Sequence, residues 1–117
     1  MINKEFGIQL VKRTKTFAIS ILKLSSILPD NPEAKVVRNQ LAKSGTSVGA
    51  NYREANRSRS KPDFKNKITI CETEASESGY WLEIIDGMNW LPIEITMPAL
   101  KESDELLAVF TSIGSKL

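Results

Sequence analysis

The sequence predicts an all-α protein, an up-down-up-down antiparallel four-helix bundle forming a single domain, and three observations carry that prediction. Apolar residues recur at three- and four-residue spacing along four segments, as the buried face of a helix requires. Pro, Asn, Asp, Ser and Gly gather at the breaks between them, and breaks this short make successive helices antiparallel neighbours. No segment keeps the two-residue alternation of a strand, and no repeat or low-complexity tract interrupts the pattern.

Helix one is expected over about residues 6–28, on the spacing of Leu10, Phe17, Ile21, Leu24 and Leu28. It stops at Leu28-Pro29-Asp30-Asn31-Pro32, where Asn31 caps helix two and Pro32 takes its first position. Helix two, about 32–56, presents Val37, Leu41, Val48, Tyr52 and Ala55. Its middle, Lys43 to Asn51, is rich in small and hydroxyl residues and holds Gly45 and Gly49 one turn apart. These are mediocre helix formers, but the flanking periodicity favours a helix packed closely on a neighbour through its small residues.

Ser60-Lys-Pro-Asp63 has the form of a capping box and opens helix three, about 61–87. Phe64, Ile68, Cys71, Ala75, Ser78, Leu82 and Ile85 form its seam, with Ile70, Trp81 and Ile84 beside it. Met88 to Ile95 reads as an irregular connection, and Thr96 as the cap of helix four, about 97–114, whose apolar set is Leu100, Leu106, Leu107, Val109, Phe110 and Ile113.

With 117 residues, a chain of this length buries about two-thirds of its extended surface in one core. The first residues are charged from Lys4 onward and hold no signal-peptide core, and no apolar run approaches the ~18 residues of a membrane span. A cytoplasmic protein without membrane partners is expected, and the single Cys is compatible with a reducing compartment.

Histidine is absent. That removes Ser-His-Asp and Cys-His nucleophile pairs, His-containing zinc sites and the Glu-x-x-His ligands of di-iron bundles. Neither G-x-G-x-x-G nor G-x-x-x-x-G-K-[ST] occurs. No enzyme activity, catalytic residue, metal or cofactor is therefore expected.

The formal net charge of +2 conceals an imbalance. Residues 1–67 hold 14 Lys/Arg against 5 Asp/Glu, a net +9, and residues 68–117 hold 2 against 9, a net −7. In an up-down bundle the start of helix one, the end of helix two and the start of helix three share one end. That topology is expected to gather Lys12, Arg13 and Lys15 with Arg53, Arg57, Arg59, Lys61, Lys65 and Lys67, and to send the carboxylates of helices three and four toward the other end. Lys and Arg bind nucleic acid by neutralising phosphates and releasing counterions, so these nine residues are candidates for contact with an RNA or DNA backbone. The plainer reading is a solvated helix end, or a surface for an acidic protein.

Two polar stripes also stand out: Ser44, Ser47, Asn51 and Glu54 on helix two, and Lys67, Glu74 and Glu77 on helix three. An acid/base site and a metal site are open readings, and a hydrogen-bond network that fixes helix register is the leading one. Phe64, Trp81 and Trp90 read as core or subunit contact in preference to base-stacking platforms. Cys71 reads as a small buried residue.

The run Arg38-x-x-Leu41-x-x-Ser44-x-x-Ser47-Val48-x-x-Asn51-x-x-Glu54, followed by Asp63-Phe64, Glu74, Glu77 and Asp104-Glu105-Leu106, resembles the four-helix bundle proteins encoded in intervening sequences of bacterial 23S ribosomal RNA genes. The resemblance covers nearly the whole chain. It implies a bacterial homopentameric ring, similar in form to the accessory protein of diversity-generating retroelements, which binds nucleic acid and a reverse transcriptase. It also marks Arg38, Ser44, Ser47, Asn51, Glu54, Phe64, Glu74 and Glu77 as the motif positions.

Overall fold

Three side chains start three of the helices. In the computed structural model, which describes residues 3–117, Asn3 Oδ1 accepts the Phe6 amide at 2.7 Å. Asn31 Oδ1 accepts the Ala34 amide at 2.8 Å, and Ser60 Oγ accepts the Asp63 amide at 3.2 Å. Each cap pairs one of the amides that a helix start leaves without a partner. The helices that follow are α1 (Lys4–Ser26), α2 (Pro32–Ala55), α3 (Lys61–Gly87) and α4 (Ile93–Ser115). Helix one starts two residues before the expected position because Asn3 supplies the cap.

The last helix departs further from expectation. It begins at Ile93 with Pro92 at the cap position and no side-chain cap. Thr96 lies inside its first turn, fully buried, with its hydroxyl 3.4 Å from the Pro92 carbonyl. Pro98 also sits inside the helix. As the sixth residue of the helix it removes one amide donor, and the helix continues through it without restarting.

The chain α1, α2, α3, α4 folds up-down-up-down into one bundle, with extents of 44 × 23 × 20 Å. Each helix packs on its neighbours in sequence, α4 closes back on α1, and α1 and α3 stand on one diagonal. The apolar positions read from periodicity line the core: Phe17, Ile21, Leu41, Val48, Tyr52, Ile68, Cys71, Leu82, Ile85, Leu106 and Phe110 are all buried. Tyr52 and Phe110 meet as a tilted aromatic pair at 5.7 Å.

The glycine-bearing stretch of α2 is helical throughout. A Cβ on Gly45 would lie 2.7 Å from Ile21 Cγ2, and one on Gly49 would lie 3.0 Å from Thr14 Oγ1. The small residues therefore set how closely α1 and α2 approach. At the other end of the bundle α3 terminates on Asn89, the only non-glycine residue with positive φ (56°) among those described. Its amide donates to the Asp86 carbonyl, and the Trp90 amide to the Ile85 carbonyl, at 3.1 and 3.3 Å. This pair of bonds is the Schellman arrangement that satisfies the last carbonyls of a helix. Among the described residues no helix is long and apolar enough to cross a membrane.

Candidate functional site

Helix termini decide where the positive charges stand. The last turn of α2 carries Arg53, the connecting turn carries Arg57 and Arg59, and the first two turns of α3 carry Lys61, Lys65 and Lys67. Ser58 and Asn56 donate their amides to Ala55 and Tyr52, holding the turn against the end of α2. Arg53, Arg57, Arg59, Lys61 and Lys65 are exposed and Lys67 is half-buried. None of the six makes an ion pair among the described residues. Glu54 and Asp63 are the only acids between Arg53 and Lys67, so the end is left strongly positive. The start of α3 adds backbone amides that point the same way, a further source of positive potential.

The same end opens into an apolar groove of about 1090 Å³ between the start of α1 and the end of α4. Phe6, Val11, Phe64 and Val109 line it, and Lys4, Lys61 and Lys116 stand at its rim. Nothing in the sequence pattern announces this groove, because residues from the ends of all four helices line it together.

Three residues expected at this end lie elsewhere. Arg13 is nine positions into the 23-residue α1, about 14 Å from its start at the rise of an α-helix. There its guanidinium donates from Nε and Nη2 to the two carboxylate oxygens of Glu102 at 2.7 and 2.6 Å, and from Nη2 to Glu105 at 2.8 Å. The hydrogen bonds it donates to Glu102, together with the two carboxylate charges, hold its pKa above the ordinary arginine value against the opposing effect of burial. Arg13 is thus a link between α1 and α4, with its charge compensated. The expected separation of charge into two ends is corrected with it: Glu102 and Glu105 stand near the middle of α4, not at the far end. Lys12 and Lys15 are exposed on the outer side of α1 at the same mid-height.

The polar motif resolves into separate devices. Arg38 closes the α1–α2 connection, donating from Nε to the Ser25 carbonyl at 3.2 Å and from Nη2 to the Leu28 and Pro29 carbonyls at 3.2 and 3.3 Å. Ser44 and Ser78, both fully buried, join α2 to α3 through a 3.0 Å hydroxyl contact. Asn51 donates to the Ser47 carbonyl of its own helix at 2.8 Å. The expected hydrogen-bond network is therefore corrected to one side-chain pair between helices, Ser44–Ser78, with Arg38 tying α2 separately to the α1 backbone. Glu54 is exposed, and Glu74 and Glu77 are half-buried on the outer flank of α3 with no side-chain partner among the described residues. The helical wheel places them one step off the core, so periodicity alone makes them look internal.

Cys71 lies in the core with its thiol 3.5 Å from the Val48 carbonyl. Burial is the main cause that pushes its pKa up to about 12, which leaves it a thiol at neutral pH and a poor nucleophile.

Comparison with known proteins agrees with this construction. The family model described as 23S rRNA-intervening sequence protein matches residues 7–112. Among solved structures, a protein of unknown function from the S23 ribosomal protein family of Bacteroides thetaiotaomicron VPI-5482 is 34% identical. The match covers 89% of this chain and 96% of that one, with a TM-score of 0.83. No curated protein matches.

Proposed function

The chain belongs to the 23S rRNA-intervening sequence protein family, and from that premise we propose that it is a cytoplasmic, non-enzymatic, homo-oligomeric bundle whose α2–α3 end binds the backbone of RNA or DNA. The observation that carries this reading is the set of six cations from Arg53 to Lys67, gathered at one end and free of ion pairs among the described residues. Such a surface binds phosphates through counterion release and carries no information about base sequence. Assembly as a ring repeats the end around an axis and multiplies its phosphate contacts. The non-enzymatic reading is supported by the missing histidine and by the buried, protonated Cys71.

Fluorescence anisotropy with a labelled RNA hairpin, a DNA duplex and a poly-glutamate chain tests the proposal. Both nucleic acids should bind with similar affinity whatever their sequence. The triple variant Arg57→Ala, Arg59→Ala, Lys61→Ala should bind at least about tenfold more weakly, since each lost phosphate contact removes counterion release. Binding of poly-glutamate without binding of either nucleic acid would assign this end to an acidic protein partner instead.

A further inference from the structure

The outer surfaces of α1 and α3 each carry a second apolar seam, which the bundle leaves exposed on α1 and covers only in part on α3. We infer that these two seams meet between copies of the chain, α1 of one copy lying parallel to α3 of the next. The inference rests on the assembly reading above and assigns it a surface.

On α1 the seam is Ile8, Lys12, Lys15, Ile19 and Leu22. It is separate from the core residues Leu10, Thr14, Phe17, Ile21 and Leu24, and Ile8, Ile19 and Leu22 are 50%, 43% and 47% exposed. On α3 the seam is Ile70, Glu74, Glu77, Trp81 and Ile84. It flanks the core residues Ile68, Cys71, Ala75, Ser78 and Leu82, and all five members are half-buried.

The two seams have the same spacing of 4, 3, 4 and 3 residues, and every α3 position is its α1 counterpart plus 62. Ile8 thus pairs with Ile70, Lys12 with Glu74, Lys15 with Glu77, Ile19 with Trp81 and Leu22 with Ile84. Alternating steps of three and four are the repeat by which parallel helices pack side by side. Both rows read apolar, charged, charged, apolar, apolar, and the charges are opposite in sign at both charged positions. A slip of one step leaves one Lys–Glu pair and sets the other lysine and the other glutamate against apolar residues, so the charged pairs favour this register.

Two further observations point to an occupant outside the single bundle. Glu74 and Glu77 have no side-chain partner among the described residues. The Trp81 indole Nε1 is buried without an acceptor, an arrangement a folded chain normally avoids. The topology also suits a second copy. Helices α1 and α3 run in the same direction, on one diagonal of the bundle, so rotation about an axis along the bundle brings them together parallel. The contact joins unlike surfaces and therefore propagates from copy to copy, closing a ring when the rotation divides a full turn. The helices begin at residues 4 and 61, so the offset of 62 displaces neighbours by five residues, about 7.5 Å. A closed ring takes this up as a tilt of each bundle. Lys12 and Lys15 then belong to the seam, and the α2–α3 turns of all copies line one rim.

Light scattering on the full chain at micromolar concentration tests the seam, with circular dichroism as a check of fold. Wild-type protein should be a multimer. Lys12→Glu with Lys15→Glu should weaken association at least about tenfold by placing four carboxylates together, and Glu74→Lys with Glu77→Lys should do the same from the other helix. Combining all four substitutions should restore the wild-type mass. A wild-type monomer would overturn the assembly reading and the seam with it. A wild-type multimer that both double variants leave intact would overturn the seam alone.

Discussion

Arg38 shows how a motif residue can be structural without touching a ligand. Its guanidinium serves three backbone carbonyls at the end of α1 and the start of the connection; Ser25 also accepts the Leu28 amide, while Leu28 and Pro29 lie beyond the helix and have no intrahelical donor. Arg38→Ala should cost about 1–3 kcal/mol in urea denaturation, because partly buried acceptors lose their donor. Arg38→Lys should recover little of it, since a single ammonium does not reproduce the fork. Cys71 gives a second prediction. Its charged form is the anion, and burial raises its pKa from 9.0 to about 12. The folded state therefore keeps a proton that the unfolded chain gives up, so this contribution is whole below about pH 9 and is lost as pH rises toward 12. Tyr52, also raised by burial, acts in the same direction. Stability measured from pH 7 upward should hold to about 9 and then fall, and the fall should be shallower in Cys71→Ser. A thiol reagent at pH 8 should label Cys71 only as fast as the bundle opens. Cys71 was legible because its spacing puts it on the seam of α3. Arg13 was not, because its partners lie 89 and 92 positions away and nothing local marks them.

The helices themselves were legible wherever a cap and an apolar period agreed, as at Asn31 and Ser60. They were misread where the two conflicted. Thr96 and Pro98 have the look of a helix start, but burial of Thr96 against the core pulls the helix back to Ile93. The middle of α2 illustrates the reverse, weak propensity overridden by packing: Gly45 and Gly49 are buried where α1 crosses. Gly45→Ala should lower stability by about 1–2 kcal/mol, a crowding cost against Ile21 partly offset by better helix propensity. The same change at Gly87, with nothing within 4 Å of the added Cβ, should be neutral or mildly stabilising. A thermal melt of the two variants side by side separates close packing from propensity. Asn89→Val should destabilise by about 1–2 kcal/mol, since a β-branched residue resists the left-handed conformation that ends α3.

For the molecule as a whole, the near-neutral total says little, because the fold distributes the charge unequally. Arg13, Glu102 and Glu105 compensate one another at mid-height, while the α2–α3 end keeps six uncompensated cations. That end was legible from sequence because the connection is short and its residues are consecutive. The surface seams were not read as a pair, since matching α1 to α3 needs the knowledge of which apolar residues the core leaves over. In the proposed assembly the first forms a rim of positive charge and the second the contact that repeats it. The most direct measurement of the central claim is the salt dependence of RNA binding by the intact protein. The logarithm of the association constant should fall linearly with the logarithm of salt concentration, with a slope of about −3 or steeper, and the slope should flatten in the Arg57, Arg59 and Lys61 alanine variant. A slope near zero, or no binding at low salt, would contradict it.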